Sequence, residues 1–306
     1  MSLFRAQIPD IFLELLPVLE EVAINQYELF PVVYPIIFNV NSNPPATSFM
    51  NKTWIAGTGL FADKTEGEEA TTDELYQGYD KKYTYVTRSL MVETSKEAAD
   101  DANKLSLTKE ITEALGRSAK ATEETHCASV LNNGFTVTTG NPNSEYLFAT
   151  DHALPRGGTC ANRLTNHVDI SYTSLQLILN LFDSMQEVSG IYLTVPQRQI
   201  IFPKELQWTV HELLKSQYRP DNANMAANAL AGMTDLTPVK WLYLTDTDAF
   251  FVSAGPGNVG LDMIFRENFN MTSDYDASKR VGESIGQMRY DYGWCRWYGI
   301  VGSAGI

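Results

Sequence analysis

The sequence predicts an α+β fold, and three observations carry that prediction. A long helical pattern occupies Ser95 to Gly134, a run of large side chains at period two approaches the C-terminus, and short apolar runs of helical and strand period mix between them. No internal repeat or low-complexity tract competes with this reading. With 306 residues, 44% of them hydrophobic, the chain can bury one large core or two modest ones.

The helical pattern is the strongest. From Leu107 the stripe Ile111, Leu115, Ser118, Thr122 and His126 recurs at steps of three and four and is expected to face inward. Ser95 or Ser106 can cap its start, and Asn132-Asn133-Gly134 supplies a left-handed stop. A continuous helix from Ser106 to Leu131 would run roughly 40 Å and span a domain. Its side chains are mostly small (Ala114, Ser118, Ala119, Ala121, Thr122, Ala128), which lets a neighbouring element approach closely.

Residues 1 to 50 read as an arm. A short helix within Ile8 to Tyr27 is interrupted by Pro17, and Pro31, Pro35, Pro44 and Pro45 predict extended backbone after it. The apolar run Val32 to Phe38 then belongs at an edge or in isolation. Trp54 to Phe61 and Lys81 to Thr87 read as the strands of a long hairpin, and between Asp63 and Glu74 lie six acids and one lysine, Lys64. That segment cannot be core.

After the long helix, Phe135 to Thr139 reads as a short strand and Asn141 to Ser144 as a turn, and Tyr146 to Thr159 reads as an apolar strand opening into a loop. Ser171 or Thr173 can cap a helix from Leu175 to Met185. Strands are expected at Ile191 to Val195 and Ile200 to Phe202, a helix at Glu205 to Ser216, and a loop from Tyr218 to Leu236. Trp241 to Leu244, Phe250 to Val252 and Met263 to Arg266 follow as strands. Met288, Tyr290, Tyr292, Trp294, Arg296 and Tyr298 then alternate along one long strand from Ile285 to Ile300.

Charge narrows the function. Lys plus Arg total 23 against 37 Asp plus Glu, a net −14 that opposes general binding to nucleic-acid phosphates or anionic membranes. Three widely spaced cysteines (Cys127, Cys160, Cys295) without a CxxC indicate neither a disulfide framework nor a cysteine zinc cage, and fit a reducing compartment. The start does not resemble a secretory signal, and nowhere do about 18 uncharged apolar residues run together, so no membrane partner is expected.

Catalytic chemistry finds little support. Gly255-Pro-Gly257-Asn-Val-Gly260 matches G-x-G-x-x-G after a strand pattern, but strand character follows it and too little chain remains for a dinucleotide fold, so it reads as a turn. Asp151, His152, Cys160 and His167 fall close together in a spacing that fits no zinc pattern. There is no G-x-S-x-G elbow, and His126 on the inward stripe reads as a core histidine. Catalytic, metal and cofactor residues are therefore expected to be none.

The order of elements is the informative feature. Gly78 to Tyr83 leads from the hairpin to Val92-Glu93-Thr94-Ser95 and Asp100-Asp101 before the long helix. Leu147 to His152, Pro196 to Pro203 before Leu206, Trp241 to Leu244 and the terminal Trp294-Cys-Arg-Trp297-Tyr-Gly299 follow in turn. This succession resembles the major capsid protein of tailed bacteriophages, the Hong Kong 97 fold, and several of the motifs look like its Mu-type head-subunit branch. Each motif is short, but together they cover nearly the whole chain.

The resemblance implies an N-terminal arm (1–51), an extended loop (52–93), a peripheral domain on a spine helix (94–139) rejoined by a terminal strand (281–306), and an axial domain (140–280). It implies a subunit that assembles with itself, as hexamers and pentamers, into an icosahedral shell around double-stranded DNA. It also implies a virion protein made in the host cytoplasm. No charged helical leader of the kind some relatives carry is expected ahead of the arm, so a separate scaffolding protein is expected, with a portal, a possible decoration protein, and only non-specific contact with DNA. Lys52 and Lys64 lie where a few relatives crosslink a lysine to a neighbour. The expected intersubunit contacts are Trp54, Phe61, Lys64, Glu66, Glu68, Glu69, Asp73, Glu74, Tyr76 and Tyr79. Alternatives are an encapsulin-type shell protein and a nucleotide-binding enzyme using residues 255–260.

Overall fold

A computed structural model describes residues 20–55, 57–95, 104–154, 157–186, 191–192, 194, 198–219, 226–232, 236–276 and 278–306, with backbone alone over 104–108. The expected arm helix before residue 20 therefore lies outside the described residues. Two four-stranded sheets share one continuous hydrophobic core.

The first sheet has the order β1 (Asn39–Asn41), β10 (Leu261–Asp276), β11 (Val281–Trp294), β4 (Val86–Ser95). β1 runs parallel to β10, and the other neighbours pair antiparallel. Its strands come from both ends of the chain, so everything between β4 and β10 is an insertion in it. The second sheet has the order β12 (Ile300–Ser303), β9 (Phe250–Ser253), β7 (Arg198–Phe202), β8 (Leu236–Lys240), with β7 and β8 parallel. Two helices accompany it: α4 (Tyr172–Asp183) and α5 (Gln207–Lys215). α4 buries Leu175, Ile178, Leu179 and Phe182, and its Ser171 N-cap shares a capping box with Ser174. α5 buries Val210, Leu213 and Leu214.

The long helix is present as α3 (Lys104–Asn132, 29 residues), the spine of the molecule. Its buried stripe is not the expected one. Thr112, Leu115, Ala119, Glu123, Glu124, Cys127, Ala128 and Leu131 face inward, whereas Ala114 and Ser118 are exposed and Thr122 and His126 only partly covered. The reason is two buried glutamates that a hydrophobic count places outside. Glu124 accepts from the backbone amides of Val33 and Tyr34 and from the Trp241 indole, so three donors serve an acceptor-only group. Glu123 accepts from the Tyr27 and Tyr34 hydroxyls and from Lys120, at 2.6, 3.1 and 3.1 Å. Burial raises the Glu123 pKa against the pull of Lys120.

These contacts fix the arm. Residues 20–29 form the described part of α1, and Tyr34–Ile37 form α2, so the run Val32 to Phe38 is not the extended segment expected. Pro35 sits in the first turn of α2, where the missing N–H costs nothing. Where α1 crosses the spine, Gly116 allows the backbones to meet: a Cβ there would stand 2.5 Å from the Ala23 carbonyl oxygen.

Several strand expectations fail. Residues 135–139 are turns and irregular backbone, and 146–149 lie in irregular backbone; Phe135, Phe148 and Phe251 are instead held by ring stacking at 4.6 to 6.1 Å. Trp241 to Leu244 is not a strand, because β8 precedes it and contains Pro238, which its place at the sheet edge tolerates. Over 191–195 the described residues show only an isolated bridge at Tyr192. The long terminal strand is broken: β11 ends at Trp294, and β12 begins at Ile300 in the other sheet. Helix α3 ends at Asn132 without a left-handed residue. Gly134 is needed for another reason, since a Cβ there would meet the Phe148 ring at 2.7 Å.

Candidate intersubunit surface

The protruding hairpin begins with β2 (Phe49–Ile55) and β3 (Gln77–Thr84), paired antiparallel. Both strands are shifted from the expected positions, and residues 57–76 between them carry no regular structure beyond a turn at Glu66-Gly67. The base is anchored in its own subunit. Asp262, 3% exposed, accepts from the Tyr83 hydroxyl at 2.9 Å and pairs with Lys52 at 2.6 Å. The Cys295 thiol donates to the Lys52 carbonyl. Burial and the Asp262 charge push the Tyr83 hydroxyl far above its ordinary pKa, so it is a donor at any working pH.

Two expected contact residues belong to this anchor. Trp54 stacks on Tyr79 at 5.9 Å and meets Tyr298 edge-on at 4.8 Å, while Tyr79 is 2% exposed and donates to Glu145 at 2.9 Å. The shelter that these aromatics gain comes from their own subunit, which corrects the expectation that a neighbour supplies it. A Cβ on Gly78 would collide with the Trp54 ring at 2.2 Å, so the glycine is what lets the indole lie flat across β3.

Beyond the anchor the loop is open. Phe61 is fully exposed, Leu60 82% and Leu75 66%. Asp63, Lys64, Glu66, Glu68, Glu69, Asp73 and Glu74 are exposed, and Tyr76 is partly covered. Asp73 accepts from the Gly59 amide at 2.6 Å, which bridges the two limbs, and Tyr76 donates to Glu74 at 2.9 Å along the returning limb. Among the described residues no ion pair within the chain engages Lys64, Glu66, Glu68 or Glu69. The loop thus exposes three large apolar side chains along a segment rich in carboxylates.

The groups weighed for chemistry have structural duties. His152 stacks on Trp297 at 4.6 Å, with Nδ1 3.2 Å from Glu145 and Nε2 3.2 Å from both the Leu147 carbonyl and Asn162; burial lowers its pKa. β5 (His152–Ala153) and β6 (Thr159–Cys160) bring His152 opposite Cys160, yet the Cys160 thiol donates to the Ala161 carbonyl. His167 meets Arg163 and the Ala304 amide. Residues 255–260 turn between β9 and β10, with no helix after them to receive a phosphate, and the Gly257 amide donates to Asn39. Among the described residues no helix is long and apolar enough to cross a membrane, and no cluster of His, Cys, Asp or Glu could hold a metal ion.

Comparisons with known proteins point the same way. The profile of a family described as phage capsid protein matches residues 78–303. No curated protein matches the chain. Among solved structures, the capsid of Ralstonia phage GP4 superposes with a TM-score of 0.58 at 8% identity, over 88% of this chain and 87% of that one. The capsid of Myoviridae phage XM1 gives 0.54 at 13% identity, over 92% and 95%. The mature capsid of bacteriophage PhiM1 gives 0.54 at 9% identity, over 90% and 87%. The encapsulin reading is not favoured beside a phage-capsid family match across most of the chain. With two sheets joined by a spine helix and a loop projecting from its anchor, the chain belongs to the phage capsid protein family and is a major capsid subunit of the Hong Kong 97-like fold.

Proposed function

We propose that loop 57–76 is the device by which one subunit engages the next in hexamers and pentamers of the shell. The observation that carries this is the exposure of Leu60, Phe61 and Leu75 in the loop of a ribbon whose base is anchored at home through Trp54, Tyr79 and Tyr83. A lone ribbon that exposes such side chains gains nothing from them in a monomer, and large apolar side chains exposed amid polar surface mark an interaction surface. The carboxylates of the loop then set register more than affinity, by meeting Lys or Arg of the neighbour.

In this reading residues 1–51 form the arm and 52–93 the extended loop. The spine region 94–139 and residues 281–306 form the peripheral domain, and 140–280 form the axial domain. β12 pairs with β9 of the second sheet, which supports counting residues 300–303 with the axial side of that division. A scaffolding protein, a portal and a decoration protein complete the proposed partners. The Mu-type branch rests on the short motifs alone.

Replacing residues 60–75 by a short Gly-Ser turn tests the loop. The variant is expected to be folded and soluble but unable to close shells. Normal shells by electron microscopy overturn the reading, and an insoluble subunit shows that the loop belongs to its own core.

A further inference from the structure

A cleft of about 450 Å³ opens at the foot of the hairpin, between β2, the turn at 255–260 and the segment that leaves β11. Lys52 and Ile55 of the hairpin line it, together with Gly257 and Gly260 of the turn and Arg296 after β11. No carboxylate lines it, although the chain carries a net −14, and both of its charged lining residues are cations. Asp80, opposite Thr53 in the hairpin, is already engaged by the Gln77 side-chain amide at 2.6 Å.

One chain of hydrogen bonds holds the two cations in place. Lys52 pairs with the buried Asp262 at 2.6 Å, and Asp262 also accepts from the Asn39 side-chain amide at 3.4 Å. The Asn39 side-chain carbonyl accepts from the Gly257 amide, and the Gly257 carbonyl accepts from the Arg296 guanidinium at 3.3 Å. Gly260 makes the crossing possible, since a Cβ there would stand 2.2 Å from the Arg296 Cγ and 2.1 Å from its backbone oxygen. Among the described residues each cation thus meets a single protein acceptor with its side chain and keeps further donors, and no carboxylate pairs with Arg296.

We infer that this cleft is a phosphate site, with Arg296 as its main donor and Lys52 as the second. A phosphate group carries enough acceptor oxygens to meet both cations at once, and the planar guanidinium matches its geometry. Side chains supply the donors because the Gly257 amide is already given to Asn39. The cleft is larger than one phosphate, and Ile55, 61% exposed, and Trp54 form an apolar wall for an attached sugar or base. The phosphate belongs either to the backbone of DNA inside the shell or to the free anion. The first source gives a chain whose net charge repels nucleic acid one defined point of contact with it. The site is built on the anchored base of the hairpin and not on loop 57–76, so it does not depend on where that loop goes.

The test compares the purified wild type with Arg296→Gln in two arms. In the first, melting temperature is followed in sodium phosphate and in sodium chloride at equal ionic strength; in the second, a short fluorescent DNA duplex is titrated by anisotropy at several salt concentrations. Arg296→Gln is expected to lose the extra stabilisation by phosphate, and to bind the duplex about tenfold more weakly with a salt slope smaller by about one. A phosphate response without duplex binding assigns the site to the free anion, and duplex binding assigns it to the DNA backbone. Equal melting in the two salts with no duplex binding, or responses that Arg296→Gln leaves unchanged, overturn the inference. If Arg296→Gln melts lower in chloride as well, Ile55→Glu decides, because it adds a carboxylate to the wall from an exposed position. Loss of the same responses in that variant supports the site, and their persistence refutes it.

Discussion

His126 stands with Nδ1 2.7 Å from the Tyr290 hydroxyl and its ring stacked on Tyr292 at 5.0 Å. Burial, and then the positive charge of Arg88, lower its pKa to about 4. The unfolded value is about 6.5, so the unfolded chain binds the proton first as pH falls. The contribution of a neutral His126 is thus complete above about 6.5 and is lost on descent toward 4. Glu123 and Asp291, both raised by burial, act in the opposite sense, since their contribution is lost as pH rises through their folded pKa values. Comparing melting temperatures from pH 7 to pH 4 for the wild type and His126→Gln isolates the histidine. The variant should lose less stability over that interval, and equal losses would show that His126 is not held neutral by the fold. At this scale the sequence was legible in part. The acids at 63–74 read as excluded from the core from composition alone, and they are exposed, whereas Phe61, expected in a strand, lies in the open loop. The shelter of Trp54 and Tyr79 was not legible, because it comes from Tyr298 and Glu145, far along the chain.

The crossing of α1 on the spine is where the element scale becomes testable. Gly116→Ala gains about 1 kcal/mol of helix propensity. It also drives a methyl to 2.5 Å from the Ala23 carbonyl oxygen and 3.1 Å from the Tyr27 amide, both backbone atoms that cannot rotate away. Overpacking of this kind costs roughly 1–3 kcal/mol. The clash should win, displacing α1 and loosening the Tyr27 bond to Glu123, seen as a lower denaturation midpoint and faster proteolysis within residues 20–40. A raised midpoint would show that α1 moves freely. The spine itself was legible because spacing at three and four survives even when the stripe is misjudged. The stripe was misjudged because Glu123 and Glu124 are buried only through Tyr27, Tyr34 and Trp241, partners that no local pattern reveals. Likewise Phe135 and Phe148 are held by stacked rings rather than by ladder pairing, while Thr136, Val137, Thr139 and Tyr146 are exposed, so strand propensity misled at 135–139 and 146–149. The alternation through Tyr298 hid a break that Gly299 marks, at φ +76 and 2.6 Å from the Asn258 carbonyl oxygen for any added Cβ.

At the scale of the whole molecule, the second sheet is an insertion that the last strand of the chain, β12, must close. β9 pairs with β7 on one side and with β12 on the other, and β12 arrives only after the β10–β11 hairpin has been laid down. Ile300 and Val301 are fully buried, and Gly302 lies where a Cβ would touch Phe251, Phe148 and Phe135 at 2.8 to 3.1 Å, so β12 is the lid on the aromatic stack. The Ser303 hydroxyl bridges to Val168 through its amide and its carbonyl. An isolated fragment of residues 133–253 would thus expose both the β9 edge and that stack. Its remedy is built into the register, because Ser253 lies opposite Ile300 in an antiparallel pair. A two-residue Asn-Gly turn suits that geometry and can join 253 directly to 300. The fragment 133–253 closed by residues 300–306 is expected to melt cooperatively and to keep its tertiary circular dichroism, whereas 133–253 alone is expected to aggregate or remain non-cooperative. Equal behaviour of two folded fragments would show that β12 is dispensable. Failure of both would show that the insertion relies on the spine through Trp241 and Glu124, and that the two sheets fold as one unit.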